Sequence, residues 1–184
     1  MQLLFAKYHG AGNDFVIIDN RSELFPKSTN LIKHLCDRHF GIGADGLMLL
    51  ETATNADFYM RYYNSDGNES TMCGNGGRCI TLFAKNSGLI DSSTRFMGMD
   101  GEHTANFESP NMINLKMQDV SGVETGDNFY FINTGSPHYV CFVDDVHFNL
   151  RFRSMDTHTT TRLARISGLA GDSSASSTAR TASS

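Results

Sequence analysis

The chain has 184 residues, which is enough for one medium domain or for one lobe of a larger two-lobe enzyme. Its hydrophobic fraction of 40% is ordinary for a globular protein, and its net charge of −5 argues against nucleic acid or an anionic membrane surface as a partner. No apolar run reaches the roughly 20 residues that a membrane-spanning helix needs, and the N-terminus lacks the basic start and apolar core of a signal peptide. We therefore expect a cytoplasmic protein whose four cysteines are free thiols.

The first 147 residues alternate between strand patterns, glycine-rich turns and two helical patterns. This alternation predicts an α+β fold with mostly antiparallel strands. One helix is predicted from a cap at Ser28 to about His39, and a second from about Asn75 to a C-terminal cap at Gly88. Strands are predicted over residues 3–8, 15–19, 47–50, 57–63, 95–99, 103–107, 111–117, 129–132 and 139–144.

The composition changes abruptly near residue 148. The last 34 residues hold 14 serines or threonines and five arginines, with no lysine and no sustained apolar periodicity. Such a segment buries too little apolar area to offset its chain entropy, so residues 148–184 are predicted to be disordered or read out of frame. A genuine regulatory or linker tail is the alternative.

Residues 64–79, with the sequence NSDGNESTMCGNGGRC, hold the most informative pattern of the chain. Cys73 stands immediately before the second predicted helix, where the partial positive charge and the unpaired N–H groups of a helix start gather. Such a position lowers the pKa of a thiol from about 8.5 toward neutrality and makes it a usable base. Gly74, Gly76 and Gly77 let the backbone approach a ligand closely, and a helix start can hold a carboxylate. The segment therefore suits proton abstraction next to a carboxylate.

Other interpretations start from the same residues. A glycine-rich turn with an incidental cysteine is one, and a phosphate-binding loop is another, although the Gly-Lys-Ser/Thr ending of that loop is absent. Cys36 and Cys79 lie on the apolar faces of their predicted helices and are expected in the core, and Cys141 within a strand pattern is expected to be a packed thiol. A disulfide between Cys73 and Cys79 is a less favoured alternative.

Four blocks of the chain resemble the diaminopimelate epimerase family, and they occur in the family's order. They are HGAGNDF at residues 9–15, DRHFGIGADG at 37–46, the segment at 64–79, and GSPH at 135–138. The blocks cover roughly residues 1–146, and four collinear blocks are far more specific than any one alone. The chain thus resembles the N-terminal half of such an enzyme.

The resemblance implies a lobe in which a curved, mostly antiparallel sheet wraps a central helix, followed by the start of a second, similar lobe. We expect these at residues 1–117 and 118–147. It also implies an isomerase that needs neither pyridoxal phosphate nor a metal. One cysteine takes the α-proton of the substrate as a thiolate, while a second, as a thiol, delivers a proton to the opposite face.

This reaction interconverts LL- and meso-diaminopimelate in lysine biosynthesis. The expected partners are the small-molecule substrate and, in a homodimer, a second copy of the chain, with no nucleic acid and no membrane. By motif matching, Cys73 takes the place of the first catalytic cysteine, and His138 that of the histidine that stabilises its thiolate. Substrate-binding places fall on five further residues: Asn13, Asn64, Gly74, Asn75 and Ser136.

The chain also departs from the family pattern. Many members have Gln where this chain has Gly46 and Asn where it has Ser136, so one side-chain contact is missing and another is replaced by a hydroxyl. No second catalytic motif, Glu-Arg followed by Cys-Gly-Ser/Thr-Gly, appears after His138. The strand that completes the first lobe in the family is also missing, which predicts an unpaired sheet edge. We therefore expect a truncated and inactive copy of the enzyme.

Two other hypotheses stay open. One is a related racemase or epimerase of the same fold that acts on another substrate, such as hydroxyproline, although the contexts of Asn13 and Asn64 favour diaminopimelate. The other is a non-catalytic half-enzyme module. A one-base shift of the reading frame after Val146 that restored the missing motif would indicate a truncated enzyme.

Overall fold

The computed structural model describes residues 3–127, 129–134, 137–142, 160–164 and 175–182. The chain divides into two compact units, Met1–Lys116 with Asp172–Ser184 and Met117–Gly171. The helices within the described ranges are α1 (Thr29–Cys36) and α2 (Gly74–Asn86), and neither is long and apolar enough to cross a bilayer. The strands are β1 (Leu3–Gly10), β2 (Asn13–Asp19), β3 (Gly46–Glu51), β4 (Phe58–Asn64), β5 (Glu69–Ser70), β6 (Ser93–Gly98), β7 (Gly101–Ser109), β8 (Met112–Lys116), β9 (Val123–Thr125), β10 (Tyr130–Asn133), β11 (Pro137–Phe142), β12 (Thr160–Ala164) and β13 (Ala175–Ala182).

The first unit is built on one nine-stranded sheet. Its strand order is β13-β1-β2-β3-β4-β6-β7-β8, and β5 pairs with β4. Neighbouring strands are antiparallel except for the pairs β2–β3 and β4–β6. Helix α2 contacts β1 and β2 near one edge and also β8 at the other edge, so the sheet curls around this helix. The predicted α+β fold, with a curved sheet around a central helix, is confirmed, although the sheet is mixed.

The second unit contains a smaller sheet. Its four strands are arranged in the order β12-β11-β10-β9, with β11 and β12 parallel and the other pairs antiparallel. The prediction of strands at residues 129–132 and 139–144 corresponds to β10 and β11, which together form a hairpin. Residues 143–144 lie outside the described part of the chain.

Strands β2 and β3 are buried on both faces, which explains their continuous apolar sequences. Successive side chains of a strand point to opposite faces, so Phe15, Ile17 and Met48 share the face that packs against α2. On the other face, residues including Val16 and Leu47 form a core cluster with α1. The sheet is therefore held between two helices, and its central strands have little freedom to move.

The helix bounds differ slightly from the sequence prediction. Helix α1 ends at Cys36, three residues before the predicted end at His39, because the Asp37 carboxylate accepts hydrogen bonds from the backbone N–H groups of His39 (2.7 Å) and Phe40 (2.8 Å). A side chain that bonds its own following backbone in this way favours a turn over a continuing helix. Helix α2 starts one residue earlier than predicted, at Gly74, and ends two residues before Gly88.

Two segments of the tail form strands where the sequence pattern predicts no regular structure. Strand β12 pairs in parallel with β11, and β13 pairs with β1 over eight residues. The sequence predicts an unpaired sheet edge in the first lobe, and in the structure the edge of β1 is paired with β13. Backbone ladders do not require apolar periodicity, the signal on which the prediction of disorder depended. Residues 148–159, 165–174 and 183–184 of the tail lie outside the described ranges.

A cluster of charged residues centred on the buried Glu51 lies at the ends of β2 and β3. The Glu51 carboxylate, 6% exposed, bonds Asn20 Nδ2 (2.7 Å), Lys27 Nζ (2.7 Å) and Arg61 Nε (2.9 Å). Burial alone would raise the pKa of Glu51, but its bonds to Lys27, Arg61 and Asn20 outweigh burial and lower the pKa below its ordinary value. The ionised carboxylate therefore stabilises the fold.

Replacing the Glu51 carboxylate should lower the free energy of unfolding and should also make that free energy depend less on pH in the acid range. Glu51→Gln is expected to lower the free energy of unfolding by roughly 2 kcal/mol at neutral pH, because hydrogen bonds to charged groups are lost. A lowered folded-state pKa gives stability that is present above the unfolded pKa, about 4.3, and lost as the pH falls through the folded value. Urea unfolding at pH 7, 5 and 3 should thus show a shallower decline for Glu51→Gln than for the exposed control Glu108→Gln. Identical declines in both variants would contradict this role.

Candidate active site

The beginnings of β2 and β3 and the end of β4 meet at one end of the sheet. In the strand register Phe15 pairs with Gly46, and Gly46 pairs with Asn64. Asn13, the first residue of β2, lies two residues before Phe15 and shares its face. The N-terminus of α2 lies beside this end, because Cys73 contacts Asn13. The residues from the glycine-rich blocks are thus collected at one place.

Cys73 is the N-terminal cap of α2. Its backbone is extended, with φ −105° and ψ 129°, and its carbonyl oxygen accepts the N–H of Gly77 at 2.7 Å. The side chain makes no capping hydrogen bond, and the half-buried Sγ lies 3.6 Å from Asn13 Oδ1. The thiol is therefore placed at a helix start, facing polar side chains rather than the core.

The other cysteines of the first unit are in a different environment. Cys36 and Cys79 are 3% and 0% exposed, as the sequence analysis expects. Burial raises the pKa of Cys36 to about 11 and that of Cys79 to about 12. Neither forms a disulfide, and Cys73 is free as well. Of the three thiols, Cys73 is the one within reach of a ligand.

The Asn13 side chain links the sheet to the start of α2. Its Nδ2 donates to Asp45 Oδ2 at 2.7 Å, while its Oδ1 accepts from Cys73 Sγ and from Asn75 Nδ2 at 3.4 Å. The Asn75 Oδ1 in turn accepts a hydrogen bond from the Arg78 guanidinium. Because both ends of the Asn13 amide are engaged, its orientation is determined by its partners.

Asp45 belongs to a network of charged residues behind Asn13. Arg38 bonds Asp45 Oδ1 at 2.6 Å and Asp14 Oδ1 at 2.7 Å, and Lys7 Nζ lies 2.9 Å from Asp14 Oδ2. Burial alone would raise the pKa of Asp14, but its bonds to Arg38 and Lys7 dominate and hold the pKa well below its ordinary value. Sequence reasoning assigned no role to these residues. Asp14, Arg38 and Asp45 lie inside the glycine-rich blocks, and charged residues of both signs within these blocks are the signal that could have found them.

The start of α2 approaches the sheet closely. A Cβ atom at Gly76 would lie 3.2 Å from Met48 Sδ and 3.3 Å from Met60 Cε. Distances this short are tighter than ordinary van der Waals contacts, so glycine at this position lets the helix start pack directly on β3 and β4. This close packing places Cys73 next to Asn13, at the end of the sheet where β2 and β3 begin.

The structure brings together some of the residues that the sequence singles out. Gly74 and Asn75 begin α2 directly after Cys73, and Asn75 contacts Asn13. Asn64 ends β4 at the same sheet end with an exposed side chain, and its backbone closes the following turn with Gly67 and Asn68. Among the described residues, no hydrogen bond joins Asn64 to Cys73.

The remaining predicted residues belong to the second unit. His138 lies in β11, where its Nδ1 is 3.4 Å from Thr134 Oγ1. Ser136 lies outside the described residues. Cys141 lies in β11, as its strand pattern predicts, and is half-buried rather than fully packed. Within the described ranges, no group of three or more histidine, cysteine or acidic side chains could hold a metal ion.

Comparison with known proteins decides the family. The family model for diaminopimelate epimerase matches residues 5–121. The chain belongs to the diaminopimelate epimerase family. It is 56% identical over 141 residues to a diaminopimelate epimerase from Flavobacterium psychrophilum, covering 76% of this chain and 55% of that protein. It is 42% identical over 144 residues to one from Chlorobaculum tepidum, covering 74% of this chain and 56% of that protein. The chain thus spans about half the length of the curated relatives it matches.

Solved structures share the fold of this family at low sequence identity. A Bacillus anthracis phenazine biosynthesis protein of the PhzF family has a TM-score of 0.62 at 14% identity and covers 78% of this chain and 56% of that chain. A hydroxyproline epimerase from Agrobacterium vitis has a TM-score of 0.56, also at 14% identity, and covers 76% of this chain and 51% of that chain. These similarities show that the chain shares its fold with both proteins.

Proposed function

We propose that this chain carries the first half of the catalytic machinery of a diaminopimelate epimerase, with Cys73 as the thiol on one face of the substrate Cα. The observation that carries the proposal is the position of Cys73 Sγ at the start of α2, 3.6 Å from Asn13 Oδ1. The 56% identity to a diaminopimelate epimerase supports this substrate over other amino acids.

The chemistry follows from the groups that surround the thiol. Cys73 as a thiolate removes the α-proton, which leaves the electron pair of the broken C–H bond on Cα, and a thiol on the opposite face delivers a proton to that carbon. In the other direction the two sulfurs exchange roles. The unpaired N–H groups of Gly74 and Asn75 in the first turn of α2 can hold the adjacent carboxylate and stabilise the negative charge that develops. No cofactor is needed for these steps.

The amide groups of the site supply orientation. Asn13 and Asn75 bond each other and can hold the ammonium and carboxylate groups of a bound amino acid with their remaining hydrogen-bonding capacity. Asn64, at the same sheet end, is proposed to bind the substrate as well. By motif matching, His138 is proposed as the histidine that supports the Cys73 thiolate, and Ser136 as a substrate-binding residue.

We extend the proposal to the cellular role and the state of this chain. The reaction belongs to lysine biosynthesis in the cytoplasm, and a homodimer is the assembly proposed. The 184-residue polypeptide by itself is proposed to be inactive, because Cys141 lies inside a strand rather than at a glycine-rich helix start. Stereoinversion requires a proton donor and an acceptor on both faces of Cα.

Ligand protection of Cys73 tests the substrate assignment. With iodoacetamide at pH 7.5, peptide mass spectrometry should find Cys73 alkylated far faster than Cys36 or Cys79, because burial shields those two thiols and raises their pKa to about 11 and about 12. meso-Diaminopimelate should slow the alkylation of Cys73 in a saturable manner, whereas trans-4-hydroxy-L-proline should not. Protection by hydroxyproline alone would favour the alternative substrate, and protection by neither would contradict the proposed site.

Isotope exchange tests the proposed inactivity. Incubated with LL-diaminopimelate in heavy water, the polypeptide is expected to form no more meso-diaminopimelate than its Cys73→Ser variant. Chromatographic separation of the stereoisomers and mass spectrometry of deuterium at Cα measure the inversion. Deuterated meso-diaminopimelate well above the level of the variant would contradict the proposed inactivity.

A further inference from the structure

Residue 46 is glycine, and the ring of Tyr62 fills the space that a side chain would need there. A Cβ atom built on Gly46 would lie 2.5 Å from Tyr62 Cε2, 2.6 Å from the carbonyl oxygen of Tyr63 and 3.0 Å from the Tyr62 hydroxyl oxygen. Real Cβ atoms do not approach other heavy atoms to 2.5 Å, so glycine is required while Tyr62 holds this position. The place of a side chain at position 46 is thus taken by a phenol from the neighbouring strand.

The Tyr62 ring is held firmly in this place. It packs edge-on against Phe15, with ring centroids 6.0 Å apart and an interplanar angle of 77°. Tyr62 pairs with Met48 across the strands, on the face that packs against α2, and is 9% exposed. A ring packed in this way can present its hydroxyl group with little loss of side-chain freedom on binding.

The Tyr62 hydroxyl lies toward the candidate active site. Gly46 is the residue between Phe15 and Asn64 in the strand register, at the sheet end where Asn13 and Cys73 meet. No described residue forms a hydrogen bond with the Tyr62 hydroxyl. In the described part of the chain, the fully enclosed side-chain atoms that lack a hydrogen-bond partner are Arg78 Nε and His103 Nδ1. The Tyr62 hydroxyl is not among them, so its oxygen is not fully enclosed. The hydroxyl therefore has an unused donor that remains open to a ligand.

The protonation state of Tyr62 determines what it can bind. Burial, followed by the nearby negative charges of Cys73 and Asp45, raises the pKa of Tyr62 above its ordinary value near 10. The phenol therefore keeps its proton at physiological pH and acts as a donor. The Asp45 carboxylate is already bonded by Asn13 and Arg38, so an incoming carboxylate is the acceptor that this donor can serve.

We propose that the Tyr62 hydroxyl is a substrate-binding group that donates a hydrogen bond to a carboxylate of the amino acid held beside Cys73. It supplies the side-chain contact that Gly46 cannot make. This inference rests on the proposed function, since it assigns a further binding residue to the same site.

Removal of one oxygen atom tests the inference. Tyr62→Phe keeps the ring and its contact with Phe15, so the thermal unfolding midpoint and the alkylation rate of free Cys73 should stay close to those of the wild type. The concentration of meso-diaminopimelate that half-protects Cys73 from iodoacetamide should rise roughly ten-fold or more, as expected for a lost hydrogen bond to a charged group. Tyr63→Phe is the matched control, because Tyr63 points to the opposite face of β4 and packs in the cluster with α1. It should leave protection unchanged.

The outcomes separate this inference from the function on which it rests. Suppose that diaminopimelate protects the wild type. If Tyr62→Phe then leaves the half-protecting concentration unchanged, or if Tyr63→Phe raises it equally, the role of Tyr62 is overturned while the proposed function stands. A wild type that diaminopimelate does not protect overturns the proposed function, and with it this inference. A ten-fold rise confined to Tyr62→Phe supports both.

Discussion

The amide side chain of Asn13 joins the start of α2 to the end of the sheet. One end of this amide bonds the Asp45 carboxylate, and the other faces Cys73 Sγ and the Asn75 side chain. A thiol at a helix start is useful for chemistry only if the surrounding groups hold it at a defined place. In this chain the Asn13 contact defines that place, and the proposed binding groups are arranged around it.

Two features of the fold support this contact: the packing of α2 on the sheet and the ion pairs of Arg38. Beneath Asn13, the strand β2 is buried on both faces, and α2 packs directly on β3 and β4 through Gly76. Behind it, Arg38 bridges Asp45 and Asp14, two carboxylates that would otherwise repel each other. The side chains that face a ligand are therefore backed by a packed core on one side and by paired charges on the other, which favours a preorganised site.

The sequence allowed the family and the fold to be predicted, because both depend on local patterns. Glycine-rich blocks in a given order identify the family, and apolar periodicity predicts α2 to within two residues at each end. The parallel pairings β2–β3 and β4–β6 were not predicted, because strand pairing depends on long-range contacts that periodicity does not record. Strands β12 and β13 were not predicted either, because their pairing relies on backbone hydrogen bonds rather than on an apolar pattern.

The same distinction holds for the candidate site. Cys73, Gly74 and Asn75 are neighbours in sequence, and the motif alone singles them out. Asp45 and Tyr62 act through contacts with residues on other strands, so their relation to Asn13 and Gly46 becomes visible only in the folded chain. Motif matching also assigned places to His138 and Ser136, and these assignments stay predictions.

A double-mutant cycle between Asn13 and Asp45, with the alkylation rate of Cys73 as the readout, tests the central contact most directly. Alkylation breaks the hydrogen bond from the Cys73 thiol to Asn13 Oδ1, so Asn13→Ala, which has no such bond to break, should speed alkylation at fixed pH by roughly two- to ten-fold. Asp45→Ala should act in the same direction, and the double variant should react no faster than Asn13→Ala, because Asp45 acts through Asn13. Effects that simply multiply, or an alkylation rate that Asn13→Ala leaves unchanged, would contradict the account.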